Sequence, residues 1–385
     1  MISLPRILIF YDHFYPAYQA GGPVQSLVNF VRVMSREYEC YVVCKSHEMN
    51  STATLSGIRP DEWNTWEQNA KVYYQTPANR TATQLKQLIS EVQPHIVFIN
   101  GIYSFWYNIL PLRASISYAN KHPSCRVVLS ARGMLLQGAL EQKALKKKLY
   151  LFVFKLLGWS KRVTWHATDG AEAASMKRQF DNQLTIGVAE NFPNLLSPAS
   201  HPPKQPGELM LGTIALISPM KNHLKVLEAL TSIQYPVTWY VFGPVKDEPY
   251  WATCKELIQR LPAHIKVDYR GPLNPAEVQK AMNLFQVFIM PSESENFGHA
   301  LVEALSAGKP VITTDTTPFH ELQHHKAGYT VAHREINTLL PSAINKFVVM
   351  DAAAFEEQVQ GAIAYAQQRF QYQKVKEAYQ QLFTQ

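Results

Sequence analysis

Short apolar runs alternate with helical stretches along almost the whole chain, and one proline-rich segment interrupts them. Before it stand RILIFY (6–11), CYVVCK (40–45), HIVFIN (95–100), RVVLSA (126–131), VTWHAT (163–168) and TIGVAE (185–190). Between these runs the periodicity predicts helices over 24–34, 84–92 and 137–157. After it, LMLGTIA (209–215), TWYVFG (238–243), IKVDYR (265–270), VFIMPS (287–292) and PVITTD (310–315) alternate with helices expected over 224–230, 251–260, 277–284 and 299–307. Such alternation in both halves predicts an α/β chain with two doubly wound, Rossmann-like parallel sheets. Ligands of these sheets bind outside the carboxyl ends of the strands, so two such domains would face each other across a cleft. The interruption, PNLLSPASHPPKQP, holds five prolines between Pro193 and Pro206. Proline fixes φ and removes amide donors, which excludes a helix interior or a central strand. It reads as a linker over 193–207, between a first domain at 1–192 and a second at 208–365. The tail 366–385 lies in a polar helical stretch, 355–383, expected to pack back on the first domain.

Composition removes several function classes. The 385 residues are 46% hydrophobic and 17% charged, which is globular rather than disordered or fibrous. Cys40, Cys44, Cys125 and Cys254 form no CxxC and no zinc spacing, so they read as buried hydrophobes of a reducing compartment. Arg6 inside the first apolar run argues for a strand rather than a leader, and no run approaches the length of a membrane span. A soluble cytoplasmic chain is expected. The net charge of +7 is uneven: residues 1–192 carry 21 Lys and Arg against 13 Asp and Glu. That half is expected to face something anionic. No GxGxxG, P-loop, GxSxG or DxD pattern is present.

The chemistry concentrates in PSESENFGHALVEALSAGKPVITTDTTPFHEL, Pro291–Leu322. A strand is expected to end near Ser292 and a helix to begin near Gly298. Between them the amides of Asn296, Phe297 and Gly298 would meet the positive end of the helix dipole, an arrangement suited to phosphate. Gly298 permits close backbone approach. Glu295, and Glu303 on the helix, would be repelled by a phosphate, so they suit neutral hydroxyls of a sugar.

Glu295-Asn-Phe-Gly through Glu303-Ala-Leu, then Ala307-Gly-Lys-Pro-Val, resembles the E-x7-E signature of family-4 retaining glycosyltransferases of the GT-B fold. Phe14-Tyr-Pro with Gly21-Gly22-Pro23, Ser218-Pro-Met-Lys-Asn, Phe242-Gly-Pro, Gly271, Thr317-Pro318 and Gln368-Arg-Phe are similar to other family motifs, in order. Ser130-Ala-Arg-Gly-Met-Leu resembles bacterial surface-polysaccharide members, of lipopolysaccharide or exopolysaccharide type. The resemblance implies an N-terminal acceptor domain and a C-terminal nucleotide-sugar domain. It implies that Glu295 contacts the donor hexose, that Asn296, Phe297 and Gly298 hold sugar hydroxyls or diphosphate, and that Glu303 bonds the ribose. Lys221 would neutralise the departing diphosphate of a UDP- or GDP-sugar without metal or other cofactor. Gly21 and Gly22, a plain turn on the competing reading, would form a backbone cradle for the diphosphate or the acceptor, and Gly243 would approach the donor through backbone.

Two positions depart from that family. Leu216 stands where an Arg usually precedes the loop lysine, and Arg132 stands where a His is common. Arg132 can bind phosphate bidentately but cannot act as a base; it or Arg270 would compensate for the missing cation. His13 and His166 are the candidate bases, with satisfied structural histidines as the competing reading. A nucleotide-sugar epimerase of the same fold and a degenerate sugar-nucleotide-binding protein remain alternatives. Finally, Lys143, Lys146, Lys147, Lys148, Lys155, Lys161 and Arg162 surround the apolar run Leu149–Phe154 and Trp159. That grouping suits either an anionic inner membrane face, with a polyprenyl-diphosphate-linked acceptor, or a buried helix with a solvated basic flank. Nucleic acid is not expected.

Overall fold

The structure, a computed structural model, describes residues 4–19, 21–49, 51–136, 140, 144–180 and 183–384. The chain forms two units, Met1–Phe192 with Tyr372–Gln385, and Pro193–Gln371. The first unit holds β1 (Arg6–Phe10), β2 (Glu39–Lys45), β3 (Trp63–Glu67), β4 (Ala70–Gln75), β5 (Ile96–Asn100), β6 (Arg126–Ser130), β7 (Thr164–Ala167) and β8 (Ile186–Val188). They form one sheet in the order β3-β4-β2-β1-β5-β6-β7-β8. The second unit holds β9 (Leu209–Ile214), β10 (Val237–Phe242), β11 (Ile265–Tyr269), β12 (Val287–Ile289), β13 (Val311–Thr314) and β14 (Gly328–Val331), ordered β11-β10-β9-β12-β13-β14. All neighbours are parallel except β3, which runs antiparallel to β4.

Central strands are apolar on both faces because helices cover both sides. Every residue of β5 is buried, as is every residue of β12. β1 sends Leu8 and Phe10 into one core layer and Ile7 and Ile9 into the other. All four cysteines are buried and unpaired. Among the described residues, no helix is long and apolar enough to cross a membrane. Residues 137–139 and 141–143 of the expected helix 137–157 lie outside the described residues; the helix described there is Ala144–Leu156.

Three features of the chain's organisation differ from expectation. The segment 193–207 is extended, but it is no free linker, because it straps onto the second unit. The Leu196 amide donates to Ser306 Oγ at 2.9 Å, Ala199 N to Ala307 O at 2.9 Å, and Lys204 Nζ to Val348 O at 3.1 Å. Proline removed donors from this strand-like stretch, and side chains of the domain supply the missing bonds. Secondly, the tail is two helices, Ala352–Arg369 and Tyr372–Thr384, broken at Phe370. Ala366 and Phe370 are buried in the second unit, so the crossing to the first begins at Tyr372 rather than 366. There Tyr379 stacks on Phe192 with centroids 5.2 Å apart and packs edge-on against Phe30 at 4.9 Å. Thirdly, the first sheet carries the antiparallel edge strand β3.

Lys309 ties the strap from below. It is fully buried, and its Nζ donates to Ser200 O at 2.7 Å. Burial lowers its pKa from 10.5 to about 7. The unfolded chain therefore binds a proton that the folded chain lacks between those values, and stability should rise as pH increases above 7. Lys309→Met should flatten that rise between pH 7 and pH 9 in thermal unfolding. An unchanged slope would show that Lys309 is not the group responsible.

Candidate active site

The candidate site grows from the carboxyl ends of adjacent parallel strands in the second unit. β9 lies between β10 and β12, so the loops that leave β9 and β12 emerge side by side. After β9 the chain makes a short 3-10 turn, Pro219–Lys221, then enters a left-handed residue, Asn222 (φ 55°), which starts the helix His223–Leu230. Asn222 Nδ2 donates to Pro291 O at 2.8 Å, and the Glu293 amide donates to Met220 O at 2.9 Å. These two bonds clamp the lysine loop to the loop after β12.

The clamp sets Lys221 against Glu295. Lys221 Nζ donates to Glu295 Oε1, and Ser292 Oγ donates to the same oxygen at 2.9 Å. Ser292 is itself fixed: its carbonyl accepts from Thr314 Oγ1 at 2.5 Å, at the end of β13, and from Thr316 Oγ1 at 2.8 Å, in the loop that follows. The structure brings Lys221 and Glu295 into contact, although they stand 74 residues apart in sequence.

Gly298 caps the helix His299–Ser306 in the left-handed region, φ 74°. A Cβ there would lie 3.0 Å from Leu301 and 3.1 Å from Phe319, so the backbone conformation favours glycine and a larger residue would crowd both neighbours. Asn296 is exposed and Phe297 half-buried, its ring 4.6 Å from that of His299 and 5.9 Å from that of Phe370. Glu303, on the inner side of this helix, is only 9% exposed and accepts from Asn194 Nδ2 at 2.8 Å. Burial raises its pKa from 4.5 to about 7, against the lowering effect of the Asn194 amide. It is therefore not a solvated helix residue. Sequence reasoning missed Asn194, which lies in the proline-rich strap.

Gly243 has a backbone reason of its own. At φ 141°, a Cβ would fall 1.8 Å from Ala215 O, where the carboxyl ends of the parallel neighbours β9 and β10 lie side by side. Arg270 pairs with Asp268 through Nε at 2.9 Å and sits over the Tyr240 ring at 5.0 Å, so its charge is already partnered.

The remaining sequence-derived residues lie in the first unit. Gly21 (φ 77°) caps the helix Gly22–Met34, as the glycine pair between first strand and helix suggested. Pro23 contributes no amide, and the Val24 and Gln25 amides are taken by Gly21 O, so this cradle offers fewer donors than expected. Arg132 (φ 51°) reaches Asn100 Oδ1 through Nε at 2.9 Å and Nη2 at 2.6 Å, and Asn191 Oδ1 through Nη1 at 2.5 Å. Both acceptors are neutral, so its positive charge is oriented without being cancelled. His166 is fully buried between Ser130 Oγ (2.8 Å) and Ala189 O (2.9 Å). Burial, then the Arg132 charge, hold its pKa down at about 3, which makes it a structural residue rather than a base. His13 is buried with Nδ1 unpartnered, its pKa lowered by burial and Lys45.

Residues 200–356 match the family model described as glycosyl transferases group 1. The sulfoquinovosyl transferase SQD2 of Arabidopsis thaliana is 34% identical over 88 residues, which is 23% of this chain and 16% of that protein. Among solved structures, Anabaena HepE in complex with UDP and glucose superposes with a TM-score of 0.68 at 16% identity, covering 99% of both chains. Sucrose-phosphate synthase from Thermosynechococcus elongatus gives a TM-score of 0.73 at 15% identity, again over 99% of both chains. WaaG, described as a glycosyltransferase involved in lipopolysaccharide biosynthesis, gives 0.62 at 14% identity over 97% of this chain and 98% of that one. Two parallel-sheet α/β domains with these neighbours constitute the GT-B fold.

Proposed function

We propose that the protein moves a hexosyl or N-acetylhexosaminyl unit from a UDP- or GDP-sugar to a saccharide or lipid-linked saccharide acceptor, with retention and without a divalent ion. The observation that carries this reading is the Lys221–Glu295 pair, clamped at the carboxyl ends of β9 and β12 beside the helix that Gly298 begins. A diphosphate arriving there competes with Glu295 for the lysine, so Lys221 turns to the phosphate and Glu295 to the sugar hydroxyls. Glu303 would accept the ribose hydroxyls. Glycosyl transfer passes through an oxocarbenium-like state while negative charge builds on the leaving phosphate. A fixed ammonium and a helix dipole aimed at that phosphate therefore stabilise the transition state more than the ground state. Arg132, bonded to neutral amides and in no ion pair among the described residues, is the candidate cation of the first unit.

Further support comes from the family match across 200–356 and from the UDP and glucose held by the HepE neighbour. The description of WaaG favours a role in cell-surface polysaccharide synthesis. Retention fits a same-face route in which the leaving phosphate helps deprotonate the acceptor hydroxyl. That route needs no carboxylate nucleophile, which leaves Glu295 to hold the sugar hydroxyls.

The test is a panel of nucleotide sugars, incubated with and without saccharide acceptors. Nucleoside diphosphate released only when acceptor is present supports transfer, and NMR of the product anomer reads retention. Isomerised donor in the absence of acceptor would make the protein an epimerase. Donor binding without turnover would make it a degenerate binding protein, the reading that Leu216 would favour. Turnover should be undiminished in EDTA, because Lys221 supplies the charge a metal would bring; an absolute divalent requirement would refute that assignment.

A further inference from the structure

The helix Ala144–Leu156 is apolar on two opposite sides. Its inner side is accounted for: Leu151 and Phe154 are buried, with Phe154 packed against Trp159, Trp165 and Phe180. Its outer side carries Leu145, Leu149, Phe152, Val153 and Leu156, at the spacing that aligns residues along one helix face. Four of these are 85%, 66%, 62% and 75% exposed (Leu145, Leu149, Phe152 and Leu156). Single exposed leucines are ordinary on protein surfaces, but an aligned row of this kind marks a contact surface. On the same helix Tyr150 packs edge-on against Tyr103 at 5.3 Å.

Charge identifies the occupant. Lys146, Lys148, Lys155, Lys161 and Arg162 are exposed around the row, and no Asp or Glu stands between Ala144 and Thr168. A second copy docking through a two-fold axis would bring these cations against themselves. Lysine stems that lie along aliphatic side chains while the ammonium groups stay in water match the boundary between anionic headgroups and acyl chains. We infer that this face of the first unit seats on an anionic lipid surface, with Leu149, Phe152 and Leu156 entering the acyl boundary and the lysines meeting headgroup phosphates. This goes beyond the transfer reaction and does not depend on the donor chemistry. Lys143 lies outside the described residues and is not needed for the argument.

Vesicle co-sedimentation of the full chain tests it. Binding is expected to vesicles containing phosphatidylglycerol and not to pure phosphatidylcholine, and it should weaken as salt rises. Replacing Lys146, Lys148 and Lys155 together by Gln should weaken partitioning about 100-fold. Replacing Leu149, Phe152 and Leu156 together by Gln should abolish it at low salt as well. All six side chains are surface-exposed, so both variants should keep the wild-type melting temperature and the wild-type turnover with a water-soluble acceptor. That separates this inference from the transfer reaction: a protein without turnover that still binds vesicles keeps it. Equal binding to neutral vesicles, no binding at all, or unchanged binding by both variants would overturn it. So would self-association that the apolar variant abolishes in the absence of any vesicle binding, which would make a second copy the occupant.

Discussion

Lys221→Met should lower turnover about 1,000-fold and lower the melting temperature as well. The two halves of that expectation come from different physics. Methionine keeps most of the lysine's stem, so the loop Pro219–Lys221 and its clamp through Asn222 to Pro291 survive. The ion pair with Glu295 is largely buried, and removing the lysine leaves the Glu295 carboxylate with the Ser292 hydroxyl but without its counter-charge, which lowers stability. A cation facing a leaving diphosphate is different, because its interaction strengthens as the bond breaks. Its loss should therefore appear in kcat rather than in KM alone. Lys221→Arg should recover part of the activity, since the charge stays while the geometry changes. Glu295→Gln should also lose activity, and the double variant should lose much less than the two single losses combined, because the residues act as one unit. If Lys221→Met retained wild-type kcat, the site would lack the cation on which metal-free transfer rests.

The Lys221–Glu295 site was legible in the sequence because its members sit at fixed offsets from strand ends. An apolar run followed by SPMK, and another followed by SESENFG, place the two loops at the same edge once the sheets are taken as parallel. Legibility ended where partners come from elsewhere in the chain. Asn194 reaches Glu303 from a segment 109 residues away, and its proline-rich neighbourhood signals a linker rather than a domain wall. Asn100 and Asn191, which orient Arg132, are similarly anonymous as residue types. Strand β3 escaped notice because Trp63–Glu67 is half-exposed throughout, as befits an edge, and so lacks an apolar run. The helix Ile336–Val348 was obscured by Pro341 in its interior. The break in the tail at Phe370 was also unreadable, since what decides it is the burial of Phe370 in one unit and of Tyr379 in the other.

The affinity for a nucleotide sugar should fall about tenfold for each pH unit below 7, and Glu303→Gln should remove that dependence. Only the ionised carboxylate accepts hydrogen bonds from both ribose hydroxyls, and burial holds Glu303 at a pKa of about 7 in the ligand-free protein. A diphosphate esterified at both ends stays fully ionised through this range, so the titration belongs to the protein. The same residue leaves a mark on stability with the opposite sign. Its folded pKa lies above the unfolded 4.5, so the folded state holds the extra proton between these values and stability falls as pH rises from 4.5 to 7. Above 7 the carboxylate is buried and charged, a penalty of roughly 3 kcal/mol from the size of the shift. Glu303→Gln should therefore be more stable than the wild type at pH 8 and about equal to it at pH 4, while binding the donor more weakly at pH 8. That combination, a gain in melting temperature with a loss of affinity, distinguishes a ribose-binding carboxylate from one that only anchors Asn194. A variant that lost stability at pH 8 and bound donor as tightly as the wild type would assign Glu303 to the architecture of the strap.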